Sequence, residues 1–241
     1  MTHSILITGA SSGIGAATAE AFLADGWTVG LMARREDALR NIAANRPNAH
    51  VLPGDVTDHA ACERVTDTFA EAAGGLDVLF NNAGIFASAA PIDETALADW
   101  DRALAVNLTG MFLMARAAFR VMRSQAAGRI INNGSISAHV PRPNAVTYTV
   151  TKHAITGLTR QLALDGRDLG IDCSQIDIGN AETEMLVTAQ EAAIAAGKKV
   201  EPTFDVADAA RAVLHMAGLP KGTNILTLTI MASGMSYVGR G

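Results

Sequence analysis

Tyr148 and Lys152 stand four residues apart in the stretch AVTYTVTKHAITGLTR, which begins at Ala145. Val146, Val150, Ala154, Leu158 and Leu162 recur every four positions with Ile155 beside them, the apolar stripe of a core-facing helix. On such a helix the phenol and the ammonium lie one above the other on the adjoining strip. An ammonium next to a core costs stability unless something pairs with it, so the pair either faces solvent or is there for chemistry. That chemistry would be proton transfer. A phenol ordinarily titrates at about 10, too weak an acid for easy exchange at neutral pH, and a cation one helical turn away favours its anion.

A second constellation lies near the N-terminus. In LITGASSGIGAATAEAF, Gly9, Gly13 and Gly15 fall between a short apolar run and a helical pattern. Glycines there permit a tight turn and a close approach of backbone to ligand, and the free N–H groups and positive end of the next helix suit a pyrophosphate. The loop of Gly9, Ser11, Ser12, Gly13, Ile14 and Gly15 therefore reads as a dinucleotide site, its G-x-x-x-G-x-G spacing a variant of the usual fingerprint. Roughly twenty residues on, where an NAD-binding chain carries a carboxylate for the ribose hydroxyls, this one has Ala33, Arg34 and Arg35. A guanidinium holds a 2′-phosphate that a carboxylate would repel, so the expected cofactor is NADP(H) in preference to NAD(H).

These residues need a frame to position them. ILIT, TVGLMA, AHVLPGDV, LDVLFNNAG, GRIINNGS, IDCSQIDIG and NILTLTIM read as strands. Helical patterns separate them, over Ile14 to Ala24, from about Glu36, over Ala60 to Ala73, after Tyr148 and over Val206 to Met216. Strands alternating with helices mean a doubly wound α/β fold, a Rossmann-like parallel sheet of seven strands in a three-layer α/β/α arrangement. One domain over residues 1–241 suffices, with the stretch around 184–200 as a candidate substrate flap. The longest helical pattern runs through Leu97, Trp100, Leu104, Leu108, Met111, Ala115, Phe119 and Met122. Asn107 falls on its apolar side, where an unpartnered amide would cost about 1–3 kcal/mol. Helices this apolar have more face than one sheet covers, which points to a subunit interface.

Of the 241 residues, 49% are hydrophobic and 18% charged, with a net charge of −5, which suits a sizeable core and not a disordered chain. The absence of any Lys/Arg cluster argues against a nucleic-acid partner. The first residues run straight into a strand and a glycine turn with no signal-peptide pattern, and no stretch is apolar for the eighteen or so residues of a membrane span. The expected compartment is the cytoplasm. Cys62 and Cys173 lack CxxC spacing and read as reduced core thiols; the six histidines form no HxH or HExxH pair, so no metal is expected.

Taken together, TGASSGIG, NNAG at Asn81 to Gly84, Asn107, Ser135 and YTVTK resemble the compact branch of the short-chain dehydrogenase/reductase family over nearly the whole chain. The resemblance implies a homodimer or homotetramer that passes a hydride between a nicotinamide and a small-molecule carbonyl or alcohol. It implies Tyr148 as general acid/base and Lys152 as a partner of the nicotinamide ribose. Ser135 precedes Tyr148 by the family's thirteen residues and would hydrogen-bond the substrate oxygen, while Asn107 would hold a water that relays protons to Lys152. Asp55 and Val56 are similar to the family's adenine contacts, Asn82, Ala83 and Gly84 to the segment that braces the cofactor, and Gly179 and Thr183 to the segment that meets the carboxamide. Ile178 replaces the proline usual there, which would loosen the approach to the flap. Ile85, Phe86, His139, Arg142, Asn144 and Met185 would line the substrate pocket, with Arg142 as a partner for an acidic group. Two other readings stay open, a reductase of 3-oxoacyl thioesters on a carrier protein and a cofactor-binding protein without turnover. The Tyr148 and Lys152 pair speaks against the second.

Overall fold

Every residue of β1 (Ser4–Thr8) is buried, as befits a strand covered on both faces. In the computed structural model, which describes residues 3–238 apart from 196 and 198, β1 is an interior strand of a seven-stranded sheet. The other strands are β2 (Thr28–Ala33), β3 (Ala49–Pro53), β4 (Val78–Asn81), β5 (Gly128–Asn133), β6 (Ile171–Ile178) and β7 (Thr227–Ile230). All pair in parallel, in the order β3-β2-β1-β4-β5-β6-β7. This is the doubly wound, Rossmann-like sheet that the alternating pattern implies. The winding reverses between β1 and β4, so the loops leaving those two strands diverge and open a crevice at their carboxyl ends.

The helices are α1 (Gly13–Ala24), α2 (Glu36–Ala43), α3 (His59–Ala73), α4 (Leu97–Leu104), α5 (Met111–Gln125), α6 (Val146–Gly166), α7 (Glu184–Ala195) and α8 (Val206–Ala217). Alternate residues of β1 feed two cores, following the period of two along a strand. Ile5 and Ile7 join Phe22 of α1 and Val213 and Met216 of α8; Leu6 joins Phe69 of α3 and Met114, Phe119 and Met122 of α5. Between α4 and α5 the helix does not break, because Ala105–Gly110 form a π-helical segment within one rod over Leu97–Gln125. That rod is long and apolar enough to cross a membrane, yet Met111, Met114, Ala115, Ala118 and Met122 are buried within the molecule.

One expectation changes. The apolar stripe of α6 is not its buried face: Val150 is 41% exposed and Ala154, Leu158 and Leu162 are only half-buried. Thr147, Thr151, Lys152, Ile155 and Thr159 are buried instead. The polar strip is tolerated there because the hydroxyls of Thr151 and Thr159 find partners. Thr159 Oγ1 donates to the Ile155 carbonyl (2.8 Å) and accepts from Asn132 Nδ2 (3.0 Å), and Thr151 Oγ1 donates to the Thr147 carbonyl (2.9 Å). The candidate flap around 184–200 carries helix α7; residues 196 and 198 lie outside the described residues.

Cys62 of α3 and Cys173 of β6 are free and buried. Burial pushes their thiols up from 9.0, to about 11 for Cys62, where the Asp58 and Asp55 carboxylates add to the effect, and to about 12 for Cys173. Iodoacetamide at about pH 8 should therefore leave both unmodified in the folded chain and label both in denaturant, as mass spectrometry would read. The folded thiols keep protons that unfolded thiols release. Their contribution should accordingly be neutral below pH 9 and should lower the urea midpoint as pH climbs from 9 towards 11.

Candidate active site

The carboxyl ends of β1, β4 and β5 are stitched together by side chains. Thr8 Oγ1 accepts from the amides of Asn82 (2.8 Å) and Ala83 (2.9 Å), and Asn82 Nδ2 donates to the Thr8 carbonyl (2.9 Å). Asn133 Nδ2 donates to Asn82 Oδ1 (2.8 Å), and the Asn133 carbonyl accepts from Lys152 Nζ at 2.7 Å. Lys152 is 3% exposed. Asn133 is its one hydrogen-bond acceptor among the described residues, which leaves two of the three ammonium donors for a ligand. The half-buried Tyr148 ring lies 5.5 Å from Lys152 Nζ and 5.1 Å from the ring of Phe86. The pair thus adjoins the crevice of the sheet, through the bond that Lys152 makes to the end of β5.

Ser135 follows β5 and opens a tight turn over Ile136–Ala138. Its Oγ accepts from the Ser137 amide at 3.1 Å, so the hydroxyl proton is left to donate to a substrate oxygen. Asn107 sits in the widened turn between α4 and α5. The side chain that the resemblance assigns to a water is bonded to protein: Oδ1 accepts from the Ile85 amide (2.7 Å), and Nδ2 donates to the Ile85 carbonyl (2.9 Å) and to Thr151 Oγ1 (3.4 Å). It braces the segment after β4 against α6, at the kind of helical irregularity common in functional sites.

The glycine loop fits a dinucleotide by its own geometry. Gly9 and Gly13 adopt φ of +66° and +54°, and a Cβ on Gly15 would lie 2.3 Å from the Gly9 carbonyl oxygen. Helix α1 starts with no side-chain cap and no acidic residue in its first turn, which leaves its leading amides open to an anion. The Thr183 methyl lies 3.2 Å from where a Gly13 Cβ would be, on the far side of the cradle. Arg35 Nη2 donates to the carbonyl and the hydroxyl of Ser11, both at 3.2 Å, so this exposed guanidinium borders the loop; Arg34 beside it is exposed. Asp55 Oδ1 accepts from the amide and the hydroxyl of Thr57 (2.9 Å each) and so shapes its own turn, while Val56 is buried.

Ile178 does not loosen its segment. It is buried, ends β6 in register with Ile230, and is followed by Gly179, whose amide donates to the Ile230 carbonyl at 2.8 Å. The Glu182 amide donates to Phe204 (2.8 Å) and that of Phe204 to Asn180 (3.1 Å), so strand pairing supplies the restraint that proline would have. On the substrate side, Arg142 Nη2 donates to Asn180 Oδ1 (2.8 Å) and lies 3.7 Å from Glu201 Oε2. Its charge is engaged by protein. Asn144 is an exposed turn residue with φ of +60°, its carbonyl accepting from the Ala90 amide (3.1 Å). Met185 belongs to α7, and its side chain lies outside those described. His139 Nε2 is 2.7 Å from Oδ2 of Asp177, a buried residue absent from the sequence expectations. Its signal was a carboxylate in IDCSQIDIG, where a central strand should be apolar.

Residues 3–193 match the sequence family described as short chain dehydrogenase. The chain belongs to the short-chain dehydrogenase family. It is an oxidoreductase of that family, with a Rossmann nucleotide-binding fold. Among its relatives, the serine 3-dehydrogenase of Agrobacterium fabrum is 33% identical over 99% of this chain and 97% of its own length. The sulfoacetaldehyde reductase 2 of Chromohalobacter salexigens is 30% identical over 98% of this chain and 97% of its own length. A closed form of serine dehydrogenase complexed with NADP+ superposes with a TM-score of 0.89 at 26% identity, covering 99% of this chain and 98% of that one. Gly15 is the tightest point of the glycine loop. Gly15→Ala would press the first turn of α1 against the Gly9 carbonyl and the Asn82 side chain, and should retain less than about a tenth of the dinucleotide affinity, as fluorescence titration would measure.

Proposed function

We propose that this short-chain dehydrogenase interconverts a small carbonyl compound and its alcohol with NADP(H). The observation that carries the reading is the bond from the buried Lys152 to the end of β5, the strand that leads into Ser135, with the Tyr148 ring 5.5 Å from the same ammonium. When bound, the dinucleotide supplies or accepts the hydride. Tyr148 Oη gives a proton to the carbonyl oxygen in reduction and takes one from the hydroxyl in oxidation. Ser135 Oγ hydrogen-bonds that same oxygen and favours its developing negative charge. The two uncommitted donors of Lys152 bind ribose hydroxyls, and Asn107 keeps the segment after β4 against α6. Arg35, resting on Ser11, and the exposed Arg34 support a 2′-phosphate contact, with no carboxylate at Ala33 to oppose it. The substrates named for the two relatives, serine and sulfoacetaldehyde, are both small and both carry an acidic group. They support a small polar substrate here.

The test is oxidation of NADPH and of NADH against ketones, aldehydes including sulfoacetaldehyde, quinones and 3-oxoacyl thioesters, with serine offered in the reverse direction. Tyr148→Phe should lower kcat by about 10²- to 10⁴-fold while binding NADPH like wild type. Arg35→Ala should weaken NADPH by about tenfold and leave NADH unchanged, the worth of one charge-assisted contact. Equal affinity of wild type for the two cofactors would remove the arginine assignment. Tight NADPH binding with no turnover in either direction would instead favour a binding protein.

The same reading includes a homo-oligomer. Phe112 of α5 is 49% exposed, and Val150 and Leu164 of α6 are 41% and 55% exposed, so both helices turn apolar side chains outward. Phe112→Asp should shift the mass seen by light scattering to that of a smaller species, whereas an unchanged mass would place the interface elsewhere or remove it.

A further inference from the structure

Asp177 has no role in the proton and hydride chemistry above, yet its side chain is completely buried in β6. A carboxylate withdrawn from water is stable only if its oxygens are paired, and here both are. Oδ1 accepts from the backbone amide of Ser135 (2.9 Å) and from Gln175 Nε2 (2.8 Å), while Oδ2 faces His139 Nε2 at 2.7 Å. Ser135 and His139 are the two ends of one tight turn, closed by the Ala138 amide on the Ser135 carbonyl (2.8 Å) and the His139 amide on the Ile136 carbonyl (3.1 Å). One rigid group therefore grips both ends of the turn that carries the Ser135 hydroxyl. The packing leaves it little freedom: a Cβ on Gly134 would lie 2.1 Å from Asp177 Oδ1.

The carboxylate is also tied to the helix that carries Tyr148. Gln175 Nε2 donates to Thr156 Oγ1 (3.1 Å) as well as to Asp177, and Gln175 Oε1 accepts from Thr159 Oγ1 (3.3 Å). Thr156 and Thr159 both lie on α6. We propose that Asp177 is a positioning residue of this enzyme, a clamp that holds the Ser135–His139 turn against α6 and so sets Ser135 Oγ relative to Tyr148 Oη. The proposal rests on the roles given above to Ser135 and Tyr148.

Asparagine and alanine at this position separate the two grips. In Asp177→Asn the amide oxygen must stay with the Ser135 and Gln175 donors, so its NH2 meets His139 Nε2, which can accept only if the ring proton moves to Nδ1. Asp177→Ala releases both ends of the turn. The full-length wild type, Asp177→Ala, Asp177→Asn, Ser135→Ala and the Asp177→Ala/Ser135→Ala double variant are compared on the carbonyl compound that wild type reduces fastest, with NADPH affinity measured by fluorescence. Asp177→Ala should bind NADPH like wild type yet lose kcat on the order of 100-fold, the effect of a misplacement of about 1 Å. Asp177→Asn should recover most of that rate. The double variant should be no slower than Ser135→Ala alone, since a residue that acts through Ser135 then has nothing left to position. Independently of turnover, 15N spectra of histidine-labelled protein should show the His139 Nε2 proton lost in Asp177→Asn.

Wild-type kcat in Asp177→Ala, losses that multiply in the double variant, or an unshifted His139 would each overturn the clamp while leaving the function intact. Full activity in Ser135→Ala, or no turnover by wild type on any compound, would remove the functional reading and the clamp with it. If Asp177→Ala does not fold, Asp177→Ser, whose hydroxyl is too short to reach both ends of the turn, is read in its place by the same criteria.

Discussion

The hydrogen bond from Lys152 Nζ to the Asn133 carbonyl joins α6 to the end of β5, and the crevice depends on it. A cation that is 3% exposed is tolerable only where acceptors meet it. The backbone at a strand's carboxyl end offers such an acceptor, because the sheet has stopped using it. The same residue reaches sideways through its amide to Asn82, and Asn82 reaches Thr8. Three strand ends and one helix are thereby held in register around the crevice at the carboxyl ends of the strands. Loosening any strand would move the ammonium relative to the glycine loop.

Beneath that ring lies a layer of buried amides and hydroxyls. Asn81 Nδ2 donates to the Met111 carbonyl (2.7 Å) and to Asn132 Oδ1 (3.2 Å), and Asn132 Nδ2 donates to Thr159 Oγ1 (3.0 Å), which leads on to Gln175 and Asp177. Buried polar groups of this kind add little net stability once their desolvation is counted, but the hydrogen bonds they make favour one arrangement. Apolar contacts between sheet and helix would survive a small slide of α6. This network would not, and the consequence for function is that Ser135 and the Tyr148 helix keep one mutual geometry.

Much of the frame was legible in the chain. TVGLMA predicts β2 over the residues the structure assigns to it, and the glycine triplet and the Tyr148 and Lys152 spacing were readable because each acts within a few residues. The face of α6 was not. Periodicity reports where apolar residues recur, and on this helix Val150 points outward while a strip of threonines and a lysine points in. That inversion depends on acceptors supplied by β5 and β6, which no count along the helix reveals. Asn107 looked misplaced on an apolar helix side for the same reason, its partner Ile85 being 22 positions away.

By itself the sequence determined the order of the strands and of the helices other than α7, the glycine cradle, the arginines that stand in place of a carboxylate at the end of β2 and the four-residue step between phenol and ammonium. Each follows from backbone sterics or helical pitch, which act over neighbouring residues. Only the tertiary structure decided which side of α6 enters the core, that Arg142 and Asn144 are engaged by protein or turn geometry, and that Asp177 meets Ser135 and His139 across 42 and 38 positions. Those outcomes turn on where a buried charge or amide finds its partner. A parallel sheet brings such partners together from distant parts of the chain, so they are settled only when the strands assemble.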